Sequence, residues 1–239
     1  MNFKIYPLSE QAITIEFGEE ISEDLLQQVS SFDQLVKQYP FNGFISTVPA
    51  YATLTIYFDP LLVIQSSLRG SNCLEKVSAY LKNLTEKKRA LVKFDSNIVY
   101  IPVCYDEVFG LDLAEVANYH KLSIENVIAL HSSAIYKVYM IGFVPGFAYL
   151  GGMDDQLTTP RKVTPRKLVP KGAVGIAGNQ TGIYPLATPG GWQIIGSTPL
   201  MLFNAHRTQP SLLKVGDQVV FKQISLTEFS HLADQKDAD

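Results

Sequence analysis

The sequence predicts an α+β protein of two domains, and three observations lead to this prediction. Residues 1–85 alternate between strand and helix patterns in the order β-α-β-β-α. A cluster of charges without apolar periodicity follows at residues 85–89 and marks the boundary. Beyond it, residues 142–198 hold 11 of the 16 glycines and six of the 13 prolines. Short strands broken by so many turn signals are typical of a barrel or closed sandwich.

Periodicity and capping residues define the elements of the first domain. Residues 12–17 alternate apolar and polar side chains, as a half-buried strand does. A helix follows Ser22, which can cap it, and ends at Pro40. Two strands and a second helix are predicted at residues 44–48, 53–58 and 73–84. This order is compatible with a ferredoxin-like α/β sandwich, whose last strand has the weakest signal.

The second domain opens with a strand at residues 97–103. Two short helices follow, one beginning at Asp112 and one capped by Ser123. Strands between glycine and proline turns then continue to residue 221. We therefore place the first domain, the barrel and a polar tail at residues 1–88, 95–226 and 227–239.

Composition and charge limit the class of protein. An apolar content of 46% and a charged content of 18% fit a globular protein with a substantial core. The formal net charge of −3 argues against general nucleic-acid binding, which needs a basic excess. Cys73 and Cys104 form no metal-ligand pattern and are expected to be buried thiols in a reducing compartment. With no signal-peptide pattern and no long apolar run, we expect a cytoplasmic protein with no membrane partner.

Residues 160–171, which we call the basic segment, contain a proline at every fifth position (160, 165 and 170), and each proline is followed directly by one or two cations. Each proline fixes φ and disfavours helix in the preceding residue, so the segment is extended. A spacing of five alternates faces in an ideal strand, and the cations converge only if the chain also bends. If they converge, Arg161, Arg166 and Lys171 can hold a phosphate or a carboxylate. The alternative is a solvated basic loop.

Two glycine-rich turns and two aromatic residues follow the basic segment. The turns, residues 178–182 and 188–192, can expose backbone N–H groups to an oxyanion, or they can be ordinary hairpin turns. Neither is a nucleotide-binding P-loop, because the lysine and hydroxyl of that motif are missing. Tyr184 and Trp192 can stack on a bound ring or fill the barrel.

Few residues are candidates for acid–base chemistry. His131 lies at the end of a predicted amphipathic helix, and it is either structural or a proton carrier. No second ligand stands near it at metal-binding spacing, so no metal site is expected. The pair Asp154–Asp155 serves either acid–base chemistry or, as we favour, a turn. The sequence contains no nucleophile motif and shows no self-sufficient catalytic centre.

Several of these stretches together resemble one known family. They are YKVYMIGFVPGFAYLGG (136–152), the basic segment, IAGNQTGIYP (176–185) and PGGWQIIG (189–196). They are similar to the signatures of the KipI / allophanate hydrolase subunit 1 family, whose members include the B subunit of bacterial 5-oxoprolinase. The resemblance is dense over residues 101–221 and weaker over residues 1–85. One departure is Ser197, where the family commonly has arginine.

The resemblance implies an N-terminal α+β domain and a C-terminal cyclophilin-like β-barrel. It also implies a complex with two further subunits, one KipA-like and one LamB/YcsF-like, which opens 5-oxoproline to glutamate with ATP hydrolysis. ATP, with magnesium, would then belong to the assembled complex, since no nucleotide motif is evident in this chain alone. Within such a site we expect three cations, Arg161, Arg166 and Lys171, to bind phosphate or carboxylate. The expected pocket lining is Gln180, Tyr184 and Trp192. His131 is the expected proton carrier.

Two other functions stay open at this point. The family name KipI belongs to an inhibitor of a sensor histidine kinase, so the barrel can instead act by protein contact. Fold analogy alone suggests a prolyl isomerase, although fold does not imply function. Neighbouring genes for the two other 5-oxoprolinase subunits, or for a sporulation kinase, would discriminate the first two.

Overall fold

The computed structural model describes residues 3–19, 22–87 and 97–235. The chain forms two compact units, Met1–Asp95 and Ser96–Asp239, each with its own hydrophobic core. Residues 88 and 89 of the charge cluster, and residues 236–239 of the predicted tail, lie outside the described residues.

The first unit is a four-stranded antiparallel sheet with two long helices packed on one face. The strand order is β1-β2-β4-β3. The strand at the sheet edge beside β2 is therefore β1, the first strand of the chain, and not the weakly predicted last strand of the unit. The sequence does not predict β1, because five of its six side chains are exposed and show no alternation. The elements are β1 (Lys4–Ser9), β2 (Ala12–Glu16), α1 (Glu23–Gln38), β3 (Phe44–Pro49), β4 (Thr53–Phe58), α2 (Pro60–Gln65) and α3 (Cys73–Lys87).

The core of this unit forms where alternation and helical periodicity meet. Ile13 and Ile15 point from β2 to the helix side, and Phe32 of α1 and Leu81 of α3 are buried against them. Ser22 caps α1 through its hydroxyl, which accepts a hydrogen bond from the Leu25 N–H at 3.3 Å. The predicted cap and apolar face of this helix are thus both present.

The second unit is built on a seven-stranded, barrel-like sheet in the order β12-β9-β10-β7-β6-β13-β5. Its two edge strands approach each other at one bridge, where the backbones of Cys104 and Ser197 exchange hydrogen bonds of 2.8 and 3.0 Å. The sheet is therefore nearly closed. The elements are β5 (Ile98–Val103), α4 (Leu113–His120), α5 (Ile124–Ser133), β6 (Tyr136–Ile141), β7 (Ala148–Gly151), a 3₁₀ turn (Asp155–Leu157), β8 (Arg166–Val169), β9 (Ala173–Ala177), β10 (Gln180–Ile183), β11 (Thr188–Gly190), β12 (Gln193–Ser197), β13 (Gln218–Gln223) and α6 (Leu226–Asp234).

The sheet of the second unit is buried on both faces along β9, β10 and β12. One face carries the main core, to which α4 and α5 contribute. The other face carries a smaller group, the aromatic cluster, made of Phe147, Tyr149, Tyr184 and Trp192. The strands under this cluster present small residues, and a Cβ at Gly182 would lie only 3.0 Å from the rings of Phe147 and Trp192. Small residues therefore allow the rings to lie against the sheet.

Strands β8 and β11 form a separate two-stranded ribbon. The ribbon contains part of the basic segment, so this segment is extended, as its prolines predict. The prediction of short strands between tight turns thus holds for this region of the chain.

The stretch that we assigned to a polar tail begins with a helix. Residues 226–234 form α6, which starts with a capping box in which Ser225 and Glu228 bind each other's backbone N–H groups. Phe229 of this helix packs on Phe109 at a ring separation of 4.3 Å. The predicted tail thus begins within a helix, for which the S-x-x-E pattern is the signal in the sequence.

Replacing Gly182 by alanine should destabilise the second unit. The new methyl would meet the Ala148 carbonyl at 2.9 Å as well as the two rings, and overpacking of this kind costs about 1–3 kcal/mol. The matched control is Gly191→Ala, where the nearest atom is 3.6 Å away and the change in unfolded-chain entropy is the same. Urea unfolding followed by the fluorescence of Trp192, the single tryptophan, measures both. Equal midpoints for the two variants would contradict the packing argument.

Candidate functional site

A buried carboxylate, that of Asp112, connects three separate parts of the second unit. Its side chain is 2% exposed and accepts two hydrogen bonds from the guanidinium of Arg166, at 2.7 and 2.6 Å. It also accepts from the Lys162 ammonium at 2.9 Å and from the Ile194 N–H at 2.7 Å. The residue that the sequence marks only as a helix start thus joins α4, the basic segment and β12.

Asp112 stays ionised because its partners outweigh its burial. Burial by itself raises the pKa of this carboxyl group. The hydrogen bonds from Arg166, Lys162 and Ile194, together with the charge of Arg166, act in the opposite direction, and the net pKa lies below the ordinary value. The pair of Asp112 and Arg166 is a bidentate ion pair in a largely dry environment.

The structure gives the cations of the basic segment different surroundings. Arg166 is engaged by Asp112, and Lys162 lies between Asp112 and Glu115, 2.8 Å from the latter. Arg161 and Lys171 are exposed, and neither forms an ion pair with any residue that the structure describes. The cation set predicted from sequence is therefore divided into an internally paired arginine and two exposed cations.

The charge of Arg161 acts on two phenols of the aromatic cluster. Burial raises the pKa of Tyr184 to about 12, and a hydrogen bond with the Trp192 backbone and the positive charges of Arg161 and Arg166 act in the opposite direction. Burial also raises the pKa of Tyr149, and the charge of Arg161 opposes this change. Both phenols are thus neutral groups within the field of an exposed guanidinium.

The predicted pocket-lining residues lie in this region but differ in exposure. Tyr184 and Trp192 are 1% and 5% exposed and fill the aromatic cluster, which was the alternative interpretation for both. Gln180 is half-buried at the start of β10, opposite Ala177.

The two glycine-rich turns make contacts within the unit. The Gly178 N–H donates to the Thr159 carbonyl at 2.7 Å, in the tight turn between β9 and β10. The Gly191 carbonyl accepts from the Lys162 N–H at 2.7 Å, next to β11. The first bond holds the residue just before the basic segment, and the second holds the segment itself. The Gly178 N–H is therefore not available to an oxyanion, which favours the hairpin interpretation at that position.

His131 is fully buried in the main core, with both ring nitrogens hydrogen-bonded to hydroxyl groups. The Thr181 hydroxyl donates its proton to the Gly175 carbonyl, so the Nε2–H of His131 donates to the Thr181 oxygen at 2.9 Å. Nδ1 then accepts from the Tyr105 hydroxyl at 2.7 Å. Burial lowers the pKa of this imidazole to about 3. A neutral ring with both nitrogens satisfied favours the structural role over proton transfer.

Three further residues singled out in the sequence have local roles. Asp154 accepts a hydrogen bond from the Gln156 N–H at 2.9 Å and caps the 3₁₀ turn. Ser197 is buried at the end of β12, where its backbone forms the bridge to Cys104.

Across residues 3–19, 22–87 and 97–235, no group of three or more His, Cys, Asp or Glu side chains is placed to hold a metal ion. No helix in these ranges is long and apolar enough to cross a membrane.

Fold and site together define the class of protein, a two-unit α/β chain whose barrel-like sheet carries an aromatic cluster on one face and whose basic segment is bound by a buried aspartate. Residues 3–213 match the family described as "Carboxyltransferase domain, subdomain C and D", and the chain belongs to this family. The resemblance inferred from sequence is thereby confirmed.

Two curated relatives match this chain over nearly their full length. The chain is 43% identical over 230 residues to the B subunit of the 5-oxoprolinase of Bacillus subtilis, covering 96% of each chain. It is 39% identical over 217 residues to the protein of the same name from Haemophilus influenzae, covering 91% of this chain and 96% of that one. Among solved structures, TTHA0988 matches 90% of this chain with a TM-score of 0.76 and 36% identity, and this chain spans 40% of its length.

The pH dependence of unfolding should report the buried state of His131. Its folded pKa, about 3, lies below the unfolded value of 6.5, so the unfolded chain binds more protons between these limits. The contribution of His131 to the free energy of unfolding is fully present above pH 6.5. It should fall by about 1.4 kcal/mol for each pH unit as the pH decreases toward 4.5. We expect His131→Gln to be less stable at pH 7 but to lose less on acidification. The control is His206→Gln, at an exposed position. Parallel profiles for wild type and His131→Gln would show that this histidine is not the linked group.

Proposed function

We propose that the chain is the B subunit of an ATP-dependent 5-oxoprolinase, which opens the lactam of 5-oxoproline to L-glutamate. The observation that carries this proposal is the 43% identity over 96% of both chains to a curated protein of that name. Two further curated proteins of the same name, at 39% identity over 91% of this chain, support it. The name of a subunit implies partner chains, which we propose to be one KipA-like protein and one LamB/YcsF-like protein, in the cytoplasm.

The finer fold assignments belong to the same proposal. We take the unit at residues 1–88 as a ferredoxin-like variant, in which β1 occupies the sheet edge beside β2. The order of β2, α1, β3, β4 and α3 supports this assignment. We take residues 95–226 as a cyclophilin-like barrel, and the near closure at Cys104 and Ser197 supports it.

Within the complex, Arg161 is the residue that we propose to bind an anionic group. Its guanidinium is exposed, free of a carboxylate partner among the described residues, and close enough to Tyr149 and Tyr184 to affect their pKa values. The substrate carboxylate and a phosphate each present at least two oxygens, and arginine can bind such a pair of oxygens through two hydrogen bonds. Lys171 adds a second exposed positive charge, and Gln180 and Trp192 complete the lining.

The chemistry explains why such a protein works with partners. A lactam is a stable amide, and transfer of a phosphoryl group from ATP to its oxygen makes the ring carbon electrophilic. Water then adds to that carbon, and the ring C–N bond breaks with a proton passing to the departing nitrogen, which leaves an acyl phosphate. A second water hydrolyses the acyl phosphate to glutamate and free phosphate. This chain offers anion binding and apolar walls, so we propose that the partner subunits supply the acid–base groups and the groups that hold ATP with its magnesium.

Arg161→Gln should weaken substrate binding in the assembled enzyme. Loss of a charge-assisted contact is expected to raise the KM for 5-oxoproline or for ATP by roughly 10- to 100-fold, with a smaller change in kcat. The measurement is glutamate formation by the chain co-expressed with its KipA-like and LamB/YcsF-like partners. The matched control is Lys167→Gln, which removes an exposed charge from the same segment and should leave KM unchanged.

Three outcomes would overturn the proposal. The first is a complex that forms no glutamate, and the second is activity that persists when this chain is omitted. The third is a pull-down that recovers a sensor histidine kinase but no KipA-like protein, which would favour the inhibitor function. Substantial turnover in a peptidyl-prolyl isomerase assay would instead revive the isomerase hypothesis.

A further inference from the structure

We propose that Asp112 is a positioning residue that fixes the chain at Arg161 by binding the two cations that follow Arg161 in the sequence, Lys162 and Arg166. This inference rests on the proposed function for the role of Arg161. The structural part of it, the fixing of the basic segment, does not.

The first observation is that Asp112 does not perform the task its sequence position predicts. It occupies the N-cap position of α4, yet its side chain forms no capping hydrogen bond. An N-cap aspartate normally accepts from the first turn of its helix. Here the carboxylate turns instead toward Arg166, 54 residues away, and toward the Ile194 N–H, 82 residues away. The helix forgoes a cap so that the carboxylate can bind the basic segment and β12.

The second observation is the way the basic segment is fastened on either side of Arg161. The carbonyl of Pro160 accepts from the Gln193 amide at 3.0 Å. The N–H of Lys162 donates to the Gly191 carbonyl at 2.7 Å, and its ammonium binds Asp112 at 2.9 Å. Arg161 itself makes no ion pair with the described residues, so its neighbours determine where its backbone lies.

The third observation concerns the charge of Asp112. Arg166 and Lys162 are both about three-quarters buried, with side-chain exposures of 24% and 21%. Two cations so close together repel each other, and a carboxylate between them offsets this repulsion. An amide at this position could accept a hydrogen bond but could not neutralise them. The expected result of Asp112→Asn is therefore a folded barrel with a loosened basic segment.

The first measurement tests the fixing of the segment in the isolated chain, without substrate. Asp112→Asn should increase amide hydrogen exchange at Lys162 and along β8, and acrylamide should quench the fluorescence of Trp192 more strongly. Glu115→Gln is the matched control, because it removes the exposed carboxylate that binds Lys162 and leaves Asp112 in place. The control should change either readout much less. Equal exchange and quenching in wild type and Asp112→Asn would overturn the inference.

The second measurement tests the consequence in the assembled complex. Displacement of Arg161 by a fraction of its reach should raise KM on the order of tenfold or more, with kcat less affected. If Arg166 acts only through Asp112, the double variant Asp112→Asn/Arg166→Gln should have the KM of either single variant. A further multiplication of KM would mean that Arg166 binds the anion directly, and the positioning role would be wrong.

The two measurements also separate the two proposals. Loss of amide protection in Asp112→Asn, combined with no glutamate formation by the wild-type complex, would leave the positioning role standing and overturn the enzyme function. Normal activity of the wild-type complex with unchanged protection and KM in Asp112→Asn would do the reverse.

Discussion

The ion pair between the buried carboxylate of Asp112 and Arg166 is the interaction on which the geometry of the basic segment depends. The prolines of this segment make it extended, but an extended chain has no reason of its own to lie against a barrel. Asp112, which lies 50 residues before Lys162 and 54 before Arg166, supplies that reason, and it is itself bound to β12 by the Ile194 N–H. Desolvation offsets much of the Coulombic attraction in such a pair, so its net stabilisation is small. The ion pair instead restricts the basic segment to one position, whereas a solvated loop would adopt many.

Residues 172–197 contain no Asp, Glu, Lys or Arg, and packing on two faces accounts for much of this scarcity of charges. All five residues of β9 are buried, because the main core lies on one side and the aromatic cluster on the other. A strand with no exposed face has no place for a lysine or glutamate. Gly182 and Gly175 then keep the backbone close to the side chains of Phe147 and Trp192. The composition of this stretch is therefore largely that of a sheet buried on both faces.

Local patterns in the sequence predicted the local structure well and the long-range structure poorly. The cap at Ser22, the helix after Ser123 and the extended basic segment all follow from residues within one or two turns of each other. The role of Asp112 could not be predicted, because its signal, an aspartate before an apolar run, is that of an ordinary N-cap. The pairing of Arg166 with Asp112 likewise depends on tertiary structure alone, and the anion-binding role of Arg161 stays a prediction.

The distribution of titratable groups indicates what this chain can and cannot contribute to a reaction. No aspartate or glutamate occurs from residue 156 to residue 206, while Arg161 and Lys171 remain exposed. Asp112 is held ionised by its cations, and His131 is held neutral by burial and two hydroxyl groups, so neither exchanges a proton near neutral pH. A positive field without a nearby proton carrier attracts and orients an anion but does not activate water. In the proposed complex, proton transfer therefore has to come from another chain, and the value of this one lies in holding the anion still.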